Sequence, residues 1–313
     1  MELVKCAGSA SVASGLMAFA TSGDGARIHY ELSGKPDGTP VVLVQGLGVD
    51  ARGWALQRVR FGRTHRCLVL DNRGVGKTES PEGPLDLEVM AADVIACMDA
   101  AGIETAHVMG ASMGGVISQI VGVRYPERVR SLVLACTACR HHQWRRELLE
   151  EWALDVESHG MSALVSSEGM HWLIGLRLQR RFGMFINLMG RLVMQSNPGS
   201  FANQVRAILA MSDSMRDELV HIKAPTLVIT GTQDSLTPVG DAEELNELIE
   251  GSKLVLISGA AHGLMAETPN AFNRAVLEFL SEVDARPAVI TPVVTTSGAK
   301  KSATRKAASL RAE

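Results

Sequence analysis

The most constraining feature of this sequence is an alternation. Short apolar runs rich in β-branched residues recur along the chain: Val41-Val42-Leu43-Val44, Cys67-Leu68-Val69-Leu70, Leu132-Val133-Leu134, Thr226-Leu227-Val228-Ile229-Thr230 and Leu254-Val255-Leu256-Ile257. Bounded by Gly, Pro, Asp or Asn, such runs fit strands buried on both faces of a parallel sheet. Segments of helical period lie between them. Residues 87–101 place Val89, Met90, Val94, Ile95 and Met98 on one face behind Asp86 as a cap, and 241–249 and 272–283 read likewise. Strand–helix alternation implies right-handed βαβ units, hence an α/β fold with a mostly parallel twisted sheet flanked by helices. Arg27–Leu32 instead alternates polar and apolar residues, which predicts an antiparallel lead-in strand with one wet face.

The alternation stops between residues 140 and 215. That stretch is helical in tone and carries Trp144, Trp152, Trp172, several Met and many Arg. It reads as a helical cap over the carboxyl edge of the sheet, where open α/β folds bind ligands. The expected division is a core of residues 17–139 and 216–284, a cap of 140–215, an unstructured extension of 1–16 and a disordered basic tail of 285–313.

The ends differ in kind. Residues 1–16 are a mixed Ala/Ser/Gly/Val stretch, read as an extension ahead of a natural start at Met17. A secretory leader ending near Ala18-Phe19-Ala20 is the alternative, against which Ser9, Ser11, Ser14 and Gly15 count because they interrupt the apolar region. From Arg286 on there are six bases and one acid, a net +5 that leaves the remainder near −8 in a chain of formal charge −3. The acidic body excludes nucleic acid as its partner, while the tail allows a weak electrostatic tether. No apolar run approaches the ~18–20 residues of a membrane span. Three of the five cysteines, Cys67, Cys97 and Cys136, sit in apolar stretches as small hydrophobes, which points to a reducing, cytoplasmic setting. Cys136 and Cys139 form a C-x-x-C pair, but no second pair completes a metal site.

The chemistry concentrates at three positions, each just after a predicted strand. Gly110-Ala111-Ser112-Met113-Gly114 follows the strand-like His107-Val108-Met109 and opens a helical pattern. G-x-S-x-G between strand and helix presents a serine at a sharp turn that needs small neighbours. The new helix's N-terminus favours negative charge there, and the Met113 N–H would face a developing oxyanion. Serine needs a base, and the base an orienting acid. Asp234 emerges after the run ending at Thr230, and His262 after the run ending at Ile257. Asp241 reads as a helix-start residue. The other histidines fit worse: His29 and His107 lie in strands, His141, His142, His159 and His171 in the insertion, and His221 before a proline-led strand.

The order Ser112, Asp234, His262 is that of the α/β-hydrolase triad, and the chain resembles that superfamily from about Phe19 to Val283. Asp71-Asn72-Arg73-Gly74-Val75-Gly76-Lys77-Thr78 is similar to the family's D-x-R-G-x-G-x-S segment. Tyr125-Pro126-Glu127-Arg128-Val129 resembles its Y-P-x-x-V segment, and Pro225 stands before the strand leading to Asp234. The resemblance implies Leu47 N–H as the second oxyanion donor. The family's H-G segment is here Gln45-Gly46-Leu47-Gly48, which leaves the orienting work of the usual histidine to Gln45. Ser112 separates the chain from epoxide hydrolases and haloalkane dehalogenases, which use Asp at the elbow, and from dienelactone hydrolases, which use Cys.

The family resemblance implies a metal-free, cofactor-free serine hydrolase acting on a small to medium ester or lactone. Its small-substrate likenesses are 3-oxoadipate enol-lactonases, aminoacrylate hydrolases and cofactor-free haloperoxidases. C–C bond hydrolysis, thioester hydrolysis, perhydrolysis, acyl transfer and a receptor-like role with little turnover remain open. Gln45, Trp144, Trp152 and Trp172 are candidate substrate-binding residues, and the insertion's arginines either attract an anionic substrate or form a solvated face.

Overall fold

The structure, a computed structural model, describes residues 16–80, 83–164, 167–176, 178–181, 183, 188, 194, 196–211 and 214–286. Nearly all of the expected N-terminal extension, and the basic tail from residue 287 on, lie outside the described residues.

Eight strands form one sheet in the order β1-β2-β4-β3-β5-β6-β7-β8. They are β1 (Leu16–Thr21), β2 (Arg27–Gly34), β3 (Pro40–Val44), β4 (Arg66–Leu70), β5 (Ala106–Ala111), β6 (Val129–Ala135), β7 (Thr226–Gly231) and β8 (Lys253–Ile257). The β1–β2 and β2–β4 pairs are antiparallel, and every pairing among β3 to β8 is parallel.

The doubly buried runs place alternate side chains in two cores. Val42, Val44, Leu68, Leu70, Val108, Leu132, Leu134 and Val228 point to one face, under the helices Leu87–Ala100 and Met113–Arg124 and the insertion. Val41, Leu43, Cys67, Val69, Met109, Val133, Leu227 and Ile229 point to the other, with Trp54, Phe61, Phe272 and Phe279. Each such aliphatic side chain contributes about 1.5–3 kcal/mol by leaving water.

Two strand expectations need correction. Arg27–Leu32 is antiparallel as read, but it is not the lead-in strand, since β1 precedes it and pairs along it, and its polar face is not wet, since His29 is buried and Glu31 half-buried. Ala18-Phe19-Ala20 lies inside β1, a strand that its mixed composition did not announce. β8 is apolar enough for a doubly covered strand, yet it is the sheet's last strand and only half-buried.

The segment after β4 ties the layers together. Asp71 Oδ2 accepts from His29 Nδ1 at 2.7 Å and from Lys77 N at 3.0 Å, and Oδ1 accepts from Ala51 N at 2.7 Å. Gly76 has φ +57°, and a Cβ there would stand 2.3 Å from Asp71 Oδ2. Arg73 is buried and donates to Asp93 and Asp24. The D-x-R-G segment is thus an anchor.

The helices between β6 and β7 include Gln143–His159, Ser167–Leu173, Pro198–Ala210 and Ser214–Glu218. Pro198–Ala210 starts with Asn197 accepting from Gly199 N at 2.9 Å and proline at its first position. Its Phe201, Ala202, Val205 and Ile208 form a buried stripe at helical spacing.

At the amino end of the sheet, His107 Nε2 donates to Asp284 Oδ1 at 3.1 Å, and Ser131 Oγ lies 2.7 Å from its Nδ1. Arg130 Nε also donates to Asp284, and His65 Nε2 lies 3.9 Å from Oδ2. Burial pushes the His107 pKa down to about 4, with His65 and Arg130 acting the same way and Asp284 opposing. Burial lowers His65 also. Between pH 6.5 and about 4 the unfolded chain therefore binds a proton that folded His107 refuses, and stability falls across that window. Burial raises Asp284, but His107 and Arg130 outweigh it and lower its pKa, so its share is lost only at more acid pH. We expect His107→Gln to flatten the dependence of folding free energy on pH between 6.5 and 4 in urea titrations. An unchanged slope would assign the acid sensitivity elsewhere.

Candidate active site

Ser112 follows β5 at φ 53° and ψ −120°, a conformation side chains rarely adopt. The surroundings hold it there. Its N–H donates to Ala135 O at 3.0 Å, and its carbonyl accepts from Gly115 N at 2.8 Å and Thr137 Oγ1 at 2.8 Å. The turn closes because two neighbours lack a Cβ. One at Gly110 would lie 2.0 Å from Gly114 O, and one at Gly114 would lie 2.3 Å from Val44 O and 2.5 Å from Gln45 O. Met113 is buried at the first position of the helix Met113–Arg124, among the N–H groups that favour an anion.

The loop after β3 crosses beside the serine. A Cβ on Gly46 would sit 3.5 Å from Ser112 Cβ, which brings the Gly46–Leu47 peptide alongside it. Asn72 Nδ2 donates to Gln45 O at 2.9 Å. The Gln45 side chain is buried and lies against Gly53, beneath the loop, and its Nε2 has no partner among the described residues.

Asp234 and His262 are brought together. His262 Nδ1 lies 2.9 Å from Asp234 Oδ2 and 3.2 Å from Oδ1. A carboxylate only accepts, so Nδ1 carries the proton and Nε2 is left as the unprotonated nitrogen of a neutral ring. Asp234 Oδ1 accepts from Leu236 N and Thr237 N, each at 2.9 Å, and Oδ2 from Thr237 Oγ1 at 2.8 Å. Burial pushes the Asp234 pKa up, but His262 and the Thr237 N–H and hydroxyl outweigh it and hold the carboxyl below its ordinary value. The backbones interlock as well, with Gln233 N donating to Ala260 O at 2.8 Å.

The insertion grips each of these loops. Arg145, 2% exposed, donates from Nε to Leu236 O at 2.8 Å and forms an ion pair with Asp241. Gly263 N donates to Leu173 O at 2.6 Å, and Gly175 N to Glu267 Oε1 at 3.2 Å. Gln204 Oε1 accepts from Gly48 N at 2.9 Å. Other arginines of the insertion are also engaged, Arg140 with Glu244, Arg146 with Leu209 O and Arg206 with Glu157, and Arg216 just beyond it pairs with the same Glu244.

The tryptophans separate. Trp152 is buried in the core, whereas Trp144 is 39% exposed and stacks on half-buried Trp172 with centroids 5.8 Å apart. Cys136 and Cys139 are free and buried. Burial pushes the Cys139 thiol up to about 12 and the Cys136 thiol well above its ordinary value, which disfavours thiolate chemistry. Cys136 has φ 39° and donates its N–H to Ile229 O, bridging β6 to β7.

Sequence reading missed Thr237, Arg145, Asn72 and Gln204. For Thr237 a signal existed in Asp234-Ser235-Leu236-Thr237, where an aspartate can accept from N–H groups two and three residues on. The other three act across long sequence separations that no local pattern marks.

A family model described as serine aminopeptidase, S33, matches residues 41–269. The chain is 30% identical over 276 residues to the Azorhizobium caulinodans protein named as a carbamate hydrolase, RutD, covering 86% of this chain and all of that one. It is also 30% identical to 3-oxoadipate enol-lactonase 2 of Acinetobacter baylyi, over 80% of this chain and 91% of the relative. The crystal structure of the enol-lactonase from Burkholderia xenovorans LB400 superposes with TM-score 0.78 at 29% identity, covering 84% of this chain and 100% of that one. With the sheet order and the elbow, these likenesses establish that the chain belongs to the α/β-hydrolase superfamily and is a hydrolase.

Proposed function

We propose that this hydrolase cleaves a carboxylic ester or lactone of small to medium size through Ser112, His262 and Asp234 by way of an acyl-enzyme. The observation that carries the reading is the enclosed Asp234 carboxylate, held by Thr237 and Leu236 and bound to His262 Nδ1, on the same sheet edge as the strained Ser112. An aspartate fixed in this way sets the imidazole tautomer and stabilises imidazolium.

In the proposed reaction His262 Nε2 takes the Ser112 hydroxyl proton while Oγ attacks the acyl carbon. The carbonyl oxygen becomes an anion facing Leu47 and Met113 N–H, each donor contributing about 2.7–4 kcal/mol in the transition state. Imidazolium then gives its proton to the leaving alkoxide, and the C–O bond breaks. Water repeats the sequence on the acyl-enzyme and releases the acid. The core of 17–139 and 216–284 supplies these groups, and residues 140–215 form the cap.

The cap surface beside the site favours an uncharged acyl group. Phe201 and Met161 pack against Gly48, and Ile174 against Gly263. The engaged arginines argue against an anion-attracting role. Trp144 and Trp172 form a candidate rim, and Gln45 acts on the oxyanion loop. The names of the similar enol-lactonase and of an esterase from Thermogutta terrifontis, with TM-score 0.78 at 26% identity, agree with this substrate class. A small molecule is therefore the partner proposed for the site. Among the described residues no helix is long and apolar enough to cross a membrane.

A fluorophosphonate probe followed by peptide mass spectrometry tests the nucleophile. Labelling is expected on Ser112 of the wild type and absent from Ser112→Ala, whose kcat on p-nitrophenyl esters falls by roughly 10⁴–10⁶. A folded wild type that takes no label overturns the reading. Gly114→Ala must displace the end of β3, so a kcat loss on the order of 100-fold is expected on the same esters. Unchanged kinetics would show that the close approach there does not serve the site.

A further inference from the structure

The proposed oxyanion donor Leu47 N–H belongs to the peptide unit whose carbonyl is that of Gly46. Among the described residues that carbonyl has only a long bond, 3.4 Å, from Val49 N. The unit's direction is therefore set by the units on either side. The preceding one is held by Asn72 Nδ2 on Gln45 O at 2.9 Å, from the core. The following one is held by Gln204 Oε1, which accepts from Gly48 N at 2.9 Å, from the insertion.

Gln204 is suited to this task. It is fully buried on the helix Pro198–Ala210, between the Phe201 and Ile208 turns of the apolar stripe. Its Nε2 donates to Arg73 O at 2.9 Å. Gly48 N–H requires an acceptor and Arg73 O a donor, so the amide has one orientation that satisfies both. Arg73 is itself fixed by Asp93 and Asp24. The insertion thus reaches through one side chain to a rigid anchor and to the peptide beside the donor. Gly48 has φ +68° and lies under Phe201, so the loop bends at the point where the glutamine grips it.

We infer that Gln204 is a positioning residue for the oxyanion hole, so that docking of the insertion completes the catalytic geometry as well as covering it. This inference rests on the serine-hydrolase reading above.

Three variants of the full chain test it on p-nitrophenyl acetate, with a trifluoromethyl ketone as transition-state analogue. Gln204→Met keeps the length and loses both bonds. Its kcat is expected to fall on the order of 10- to 100-fold, with KM within about threefold and the inhibition constant of the ketone rising in parallel with the kcat loss. Gln204→Glu keeps an acceptor for Gly48 N–H and recovers part of both. Arg206→Ala, an exposed change on the same helix, leaves both unchanged. Should Gln204→Met fold poorly, Gln204→Asn, one methylene too short to span both partners, carries the same expectation. A folded variant with unchanged kcat and ketone affinity, or with a lower melting temperature alone, overturns the positioning role while Ser112 labelling stands. Failure of wild-type Ser112 to label overturns both readings.

Discussion

Everything at the carboxyl edge of this sheet depends on how closely two stretches of backbone approach. The helix after Ser112 passes so near the end of β3 that position 114 has room for hydrogen alone, and position 110 is equally crowded by the same turn. Ser112 can then stand upright in a strained conformation. The loop leaving β3 arrives beside it instead of being pushed outward. The shortest contacts of a hypothetical Cβ, 2.0 Å at position 110 and 2.3 Å at position 114, are to backbone carbonyl oxygens, which no rotamer change can move away. The elbow is therefore a property of the packed sheet, held by Ala135 and Thr137 of the neighbouring strand and its loop.

Around that point, buried polar groups set geometry that apolar packing alone would leave loose. Asp234 and Arg145 occupy places where an unpaired charge would be strongly disfavoured, and each is enclosed by partners in fixed directions. The consequence is directional: Thr237 and Leu236 aim the carboxylate, and Arg145 fixes the Leu236 carbonyl from the other side of the cap boundary. In the proposed arrangement, covering the site and shaping it would be the work of the same helices.

Much of this was legible in the chain itself. Apolar runs between turn residues announced the parallel strands, and the three candidate residues each followed one of those runs. Topology alone thus placed them at one edge. β1 was not legible, because an edge strand of Ala, Phe and Thr lacks the dense β-branched signal of a buried one. β8 was over-read for the converse reason: its residues suit burial, but its place at the end of the sheet is a tertiary fact. Gln204 and Arg145 were invisible because a polar residue on a helix looks solvated until its partners, 156 and 91 residues away, are known. The arginines of the insertion suggested attraction of anions, and the structure commits Arg140, Arg145, Arg146 and Arg206 to carbonyls and carboxylates of the protein.

The clasp at the opposite edge has a practical side. Asp284, the last residue of the helix Pro269–Asp284, is bonded to His107 near the start of β5, whereas Ser112 follows that strand's other end. Five residue steps of strand, roughly 17 Å, separate the two levels. The chain therefore leaves the closing helix at the edge opposite the candidate site, and a carrier or surface joined at Arg286 itself attaches there.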